Sequence, residues 1–285
     1  KRESGHYDTN KFSQLYDLLA TPNMFRTASG APGPAYYQQQ ADYKMDVVLD
    51  DKNKRIDGVE TITYHNNSPE SLEYLWVQLD QNMRARQSKT PLIESQKMEG
   101  SVPVDGFVKN YMQQTFDGGF NLVYVNDANG KPLSYVINQT MMRIDLPTPL
   151  KPKEKVSFSI KWWYNINDRM AVGGRSGYEH FEKDDNYLYT IAQFFPRMCV
   201  YSDVEGWQNK QFLGRGEFAL PFGDYEVSIT VPSDHIVGAT GELQNGSSVL
   251  TAEQRKRFDK AKLSDSPVLI VTQAEAEAKE KNREK

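Results

Sequence analysis

Cysteine is almost absent. Cys199 is the only one in 285 residues, so no disulfide can close within the chain. A lone thiol fits a reducing compartment, and it equally fits a bacterial envelope protein that needs no staples. Histidine is scarce as well. His6, His65, His180 and His235 are far apart in sequence, whereas a hydrolytic zinc site uses ligands such as two His one helical turn apart. No apolar run approaches the roughly 18 residues of a membrane-spanning helix. Cationic excess is missing too. The net charge is −4 and the pI is near 5.7, which argues against non-specific nucleic-acid binding. The first residue is Lys1, with no initiator Met and no signal-peptide apolar region, as expected of a processed or trimmed polypeptide.

What is abundant is aromatic. Sixteen Tyr, thirteen Phe and four Trp supply bulky material for a sizeable core. Such residues also favour strands. The length allows one large all-β domain or two smaller ones.

Phe12, Leu15, Tyr16 and Leu19 recur at helical spacing, so a short amphipathic helix is expected over 10–20. Residues 29–40 are rich in Gly and Pro and read as a linker. A β-rich body follows over 41–272. Tyr43, Met45, Val47 and Leu49 alternate with polar residues, and residues 55–65 alternate again beyond a turn at Asp50–Lys54, which reads as a hairpin. Further strands are expected over 74–80, 141–146, 156–164, 187–192, 225–231, 236–239 and 267–271. Residues 82–119 lack clean periodicity and read as an irregular connection. Asn129-Gly130 predicts a tight turn between strands 120–125 and 133–138. Thr251 and Thr272 each open a capping box. The last segment, 273–285, pairs Glu275 with Lys279 and Glu277 with Lys281 but carries no apolar stripe. It reads as a solvated helix leading into a region beyond the chain. The fold class expected is mainly β: an antiparallel sandwich or saddle-like curved sheet with short peripheral helices.

Candidate chemistry is sparse. Glu179-His180 is the nearest approach to a ligand pair, but the second His is missing, so no metal ligand and no catalytic residue is assigned. The Gly-rich stretch Gly173–Gly177 lacks the Gly-Lys-Ser/Thr ending of a phosphate loop and reads as a flexible connection. Cys199, between Met198 and Val200, reads as a small buried hydrophobe rather than a nucleophile. Trp162-Trp163-Tyr164 invites a sugar platform. Adjacent strand residues face opposite sides, however, which favours core packing. Gln193 follows an apolar strand. Its amide either bonds neighbouring backbone or accepts from a substrate ammonium.

The segment Thr190–Asp203 (TIAQFFPRMCVYSD) resembles a stretch of the amino-terminal domain of M1-family zinc aminopeptidases that borders the active site. Ala41–Asn82, Met141–Asn167 and Tyr225–Leu243 are similar to other strands of that domain, in the same order. The whole set resembles a bacterial branch of the family and covers most of residues 41–245. The resemblance implies a non-catalytic domain that walls an active-site cleft and helps position the substrate's amino end. It assigns substrate contact to Gln193 and, more loosely, to Phe195, since the family carries Gln-x-Glu or Gln-x-Gln where this chain has Gln193-Phe194-Phe195. The family's "GAMEN" and HExxH…E motifs are absent here.

The resemblance thus implies no cofactor in this chain, with zinc in a downstream catalytic domain. The implied partners are that domain and a peptide amino terminus, with no nucleic acid and no transmembrane segment. An envelope, periplasmic or secreted location is favoured, and a cytoplasmic one is compatible. Two alternatives stand beside this reading: a free-standing β-sandwich binding module for sugar, using Trp162, Trp163 or Trp207, and an inactive scaffold of the same family.

Overall fold

The computed structural model describes residues 22–93, 101, 103–104, 116–183, 185–214, 216 and 219–281. The helix expected over 10–20 and the middle of the 82–119 connection lie outside the described residues. The chain divides into two compact units, Lys1–Thr230 and Val231–Lys285.

The first unit is built on strict alternation. β1 (Gln40–Asp50) and β2 (Arg55–His65) form the expected hairpin, paired from Asp50↔Arg55 out to Gln40↔His65. Ala41, Tyr43, Met45, Val47 and Leu49 face inward from β1, while Lys44, Asp46 and Val48 face out. This is the period of two that a half-buried strand requires. β3 (Leu72–Gln78), β4 (Asn121–Asp127), β5 (Ser134–Asn138), β6 (Met141–Leu150) and β7 (Lys155–Asn165) follow. β8 (Gly177–Phe181) and β9 (Asn186–Thr190) pair as a ribbon, and so do the short β11 (Tyr201–Ser202) and β12 (Gly206–Trp207). β10 (Arg197–Met198) and β13 (Tyr225–Thr230) complete the set.

Two sheets result. One runs β13-β1-β2-β7-β4, antiparallel except for the parallel β1–β13 pair. The other runs β10-β3-β6-β5 and is antiparallel throughout. The fold is mainly β with few short helices and no closed barrel.

The Asn129-Gly130 turn forms as expected, with Gly130 at φ +79° and its N–H bonded to the Asp127 carbonyl at 3.0 Å. The strands it joins do not stay together. β4 pairs with β7 in the first sheet and β5 with β6 in the second. The turn therefore carries the chain from one sheet to the other.

The core lies on the inward faces of these sheets. Ile62, Leu75, Val77, Leu79, Met142, Ile144, Ile160 and Met198 are fully buried. Each such side chain contributes roughly 1.5–3 kcal/mol on burial. Tyr43 joins the two sheets, its hydroxyl accepting from the Met198 backbone N–H at 2.8 Å. Trp162 is 1% exposed, while Trp163 lies on the opposite face under Arg55, whose guanidinium carbon is 5.2 Å from the indole.

In the second unit, α1 (Ala252–Ala261) and α2 (Gln273–Glu280) both start on complete capping boxes, at Thr251/Gln254 and Thr272/Glu275. Arg257 of α1 holds Glu275 of α2 at 2.6 Å. That hydrogen bond, reinforced by those from Thr272, pulls the Glu275 carboxyl down to about 2. The strands expected over 236–239 and 267–271 do not form: both stretches are irregular. A short apolar run becomes a strand only beside a partner edge that takes its backbone hydrogen bonds.

Candidate functional site

The segment between β9 and β10 is held open rather than extended. β9 ends at Thr190, and the backbone turns at Gln193, which sits in the left-handed region at φ +52°. That geometry is uncommon for a residue with a side chain and needs support from its surroundings.

The support is a set of side chains from distant parts of the chain. Ser176 Oγ donates to the Ala192 carbonyl and accepts from the Ala192 N–H, both at 3.0 Å. Gln81 Nε2 donates to the Ala192 carbonyl at 3.3 Å and to the Gln193 carbonyl at 2.9 Å. Gln81 belongs to the 3-10 turn Asp80–Arg84 that follows β3, and Arg84 Nη1 donates to its Oε1 at 3.1 Å. The backbone of Gln193 is thus pinned. Its side-chain amide has no hydrogen-bond partner among the described residues.

On the far side of the turn, Arg197 in β10 pairs with Asp80, with Nε 2.8 Å from Oδ2. Asp80 is 1% exposed and also accepts from Gln78. Burial pushes the Asp80 carboxyl above its usual range, opposed by the attraction of Arg197 and by hydrogen bonds from Gln78 and Arg197. The β10–β3 pairing places Arg197 opposite Gln78 and Met198 opposite Val77. One wall of the segment is therefore anchored by a buried ion pair and a strip of sheet.

Phe195 packs among other aromatic side chains. Its ring meets Tyr43 edge-on at 5.4 Å, Phe194 at 5.0 Å and Tyr225 at 6.2 Å, while Tyr43 and Tyr225 stack at 4.8 Å. It completes an aromatic cluster joining β1 and β13. Cys199 is 1% exposed, and burial, then the nearby Asp80, push its thiol up to about 12. A group so desolvated holds no thiolate near neutral pH.

Each described histidine has its own carboxylate: Asp42 for His65 at 2.9 Å, Asp185 for His180 at 3.0 Å and Asp234 for His235 at 2.8 Å. His6 lies outside the described residues. Among the described residues no three His, Cys, Asp or Glu side chains are grouped as a metal site. The tryptophans named for a sugar platform do not share one surface. Trp162 is in the core, and Trp207 packs on Tyr64 at 5.9 Å and Tyr201 at 5.2 Å.

Sequence reading missed Ser176, Gln81 and Arg84. Ser176 was passed over as part of a flexible Gly-rich connection. In fact Asn167 Nδ2 bonds the Ser176 carbonyl at 2.9 Å and Gly177 sits at φ +147° where a Cβ would meet Asn167. The Gln81 contacts span more than a hundred residues, which leaves no local signature.

No family model and no curated protein matches the chain. Among solved structures, the chain is similar to an M1 zinc metallopeptidase from Deinococcus radiodurans, with 15% identity over 75% of this chain and 38% of that one, at a TM-score of 0.37. A mutant of that metallopeptidase bound to a Tyr-Ser-Ala substrate gives 15% identity over the same shares, at a TM-score of 0.38. A two-domain M1 zinc metallopeptidase mutant bound to L-tryptophan gives 14% identity over 76% and 39%, at 0.35. The chain thus spans well under half the length of these structures.

Proposed function

We propose that this chain is the non-catalytic, amino-terminal part of a zinc aminopeptidase, walling the active-site cleft and helping to hold the substrate's free amino end. The observation that carries the reading is Gln193. Gln81 bonds its carbonyl and Ser176 the backbone of the preceding Ala192, while the Gln193 amide has no partner among the described residues. It lies in the segment whose sequence resembles the substrate-bordering stretch of that family, and three further segments resemble it in the same order.

Gln193's carbonyl oxygen Oε1 would accept from the substrate ammonium. Phe195 supplies no polar second acceptor; half-exposed and packed edge-on against Tyr43, Phe194 and Tyr225, its ring would border the amine. Zinc, which in such enzymes polarises the scissile carbonyl and activates water, would on this reading be held by polypeptide outside this chain. The implied partner is that catalytic domain, and the implied substrate is a peptide with a free amino terminus.

Two measurements test this. Reading the gene past Lys285 should reveal an HExxH motif followed by a Glu ligand; an immediate stop would sink the reading, and a domain without those ligands would turn it into the inactive scaffold. In the full polypeptide, Gln193→Ala should lower kcat/KM for unblocked peptides by about tenfold, the weight of one charge-assisted hydrogen bond. Wild-type kcat/KM in that variant would remove Gln193 from the site.

A further inference from the structure

Next to Gln193 lies a cation that makes no ion pair among the described residues. The Arg84 guanidinium carries five N–H donors in a planar fork. Only the bond to Gln81 Oε1 engages it, and no carboxylate lies within ion-pair distance among the described residues. Its surroundings are partly dry. Burial lowers its pKa, against the smaller opposing pulls of Tyr164 and Asp80. A partly buried cation with no ion pair among the described residues is costly.

Two further features point to a ligand at this place. Tyr164 is 2% exposed and its hydroxyl has no hydrogen-bond partner among the described residues, yet it is within the electrostatic reach of Arg84. The exposed turn over the guanidinium is Gly173-Gly174. Gly174 sits at φ +99°, and a Cβ there would stand 2.6 Å from Arg84 Nη2, while the position of a Cβ on Gly173 is open. Glycine at 174 lets the backbone of the turn lie against the guanidinium with no side chain between them. The distance to Gln193 is short. A single side-chain amide, that of Gln81, accepts from Arg84 with its oxygen and donates to the Gln193 carbonyl with its nitrogen.

We propose that Arg84, backed by the Tyr164 hydroxyl and roofed by Gly173-Gly174, is a carboxylate-binding site. Resting on the reading of Gln193 as the ammonium contact, the pair would favour substrates that carry a carboxylate close to a free amine. Two sources share that chemistry: an acidic side chain at the amino end of a peptide, or the carboxyl terminus of a very short one.

The test uses the 285-residue chain and small probes, read by NMR titration of the Arg84 Nε–H signal and by calorimetry. N-acetylglutamic acid α-amide presents a side-chain carboxylate without an amine, acetyl-Ala-Ala presents a terminal carboxylate, and N-acetylglutamine α-amide is the neutral control. Binding of either acid, absent for the control, is expected. Which acid binds more tightly identifies the source. Arg84→Gln should weaken it by about tenfold or more, and Arg84→Lys, which keeps the charge but loses the fork, by less. Circular dichroism checks that each variant is folded. If Arg84→Gln does not fold, the lysine variant and the Nε–H titration of the unmodified chain decide. Acids that bind no better than the control, or equally well to wild type and folded Arg84 variants, overturn the site. A fourth probe, glutamic acid α-amide with its amine free, should bind more tightly than its acetylated form, and Gln193→Ala should remove only that gain. A missing gain would defeat the Gln193 reading while leaving the Arg84 site standing.

Discussion

At the scale of single residues, the least expected group is Glu60. It faces inward from the middle of β2, fully buried, and neither carboxylate oxygen has a partner among the described residues. Burial pushes its pKa well above 4.5. Tyr43 and Tyr225 are the titratable groups that feel it, from β1 and β13. The sign follows from linkage. A carboxyl whose folded pKa is raised binds its proton more tightly in the folded state, so it does no harm below pH 4.5. Stability then falls as pH rises from there toward the folded value. The slope attributable to this group is at most about 1.4 kcal/mol per pH unit. Glu60→Gln should therefore flatten urea-unfolding stability between pH 5 and 8 and leave the variant more stable than wild type at the upper end. Parallel pH profiles for the two proteins would show that Glu60 is ionised in the fold.

Cys199 gives a second residue-scale prediction. With its thiol pushed up to about 12 and 1% exposed, it should resist a thiol reagent such as iodoacetamide at pH 8 and react promptly once the chain is unfolded in urea. Fast labelling of the native protein would contradict the packing described for it. This inert role was legible from its apolar neighbours Met198 and Val200. The restraint on Gln193 was not, because Ser176 and Gln81 reach it from other elements and a period-based reading sees only local order.

At the scale of elements, alternation located the strands of the first unit well, since one buried face imposes a period of two on each. It could not say which sheet a strand joins. The Asn129-Gly130 turn has ordinary hairpin chemistry, yet β4 and β5 diverge into different sheets after the bridge between Asn126 and Pro132. Partner choice is settled by packing that a local window does not contain. The clearest case of such packing is Gly58. It pairs with Trp162 across β2 and β7, and a Cβ there would fall 2.2 Å from the indole ring. The missing side chain makes room for the largest residue of the core. Gly58→Ala should destabilise the protein by about 1–3 kcal/mol, seen as a lower urea midpoint at unchanged m-value. An alanine variant as stable as wild type would mean that Trp162 repacks without cost.

At the scale of the whole molecule, the β-rich body expected from the sequence is the one the structure has, and the expectation of weak metal affinity calls for a measurement of its own. His65, His180 and His235 each sit against a different carboxylate, and among the described residues no three ligand side chains converge. A tetrahedral site needs three or four converging ligands, and dispersed pairs supply at most one strong contact each. The 285-residue chain with added zinc should therefore show no tight stoichiometric binding in equilibrium dialysis and release no amine from aminoacyl anilides. On the proposed function, a longer polypeptide carrying an HExxH motif should bind zinc tightly and release the amine. Hydrolysis by the chain alone, abolished by a chelator and restored by zinc, would place the chemistry on residues of this chain and overturn the division of labour argued for Gln193.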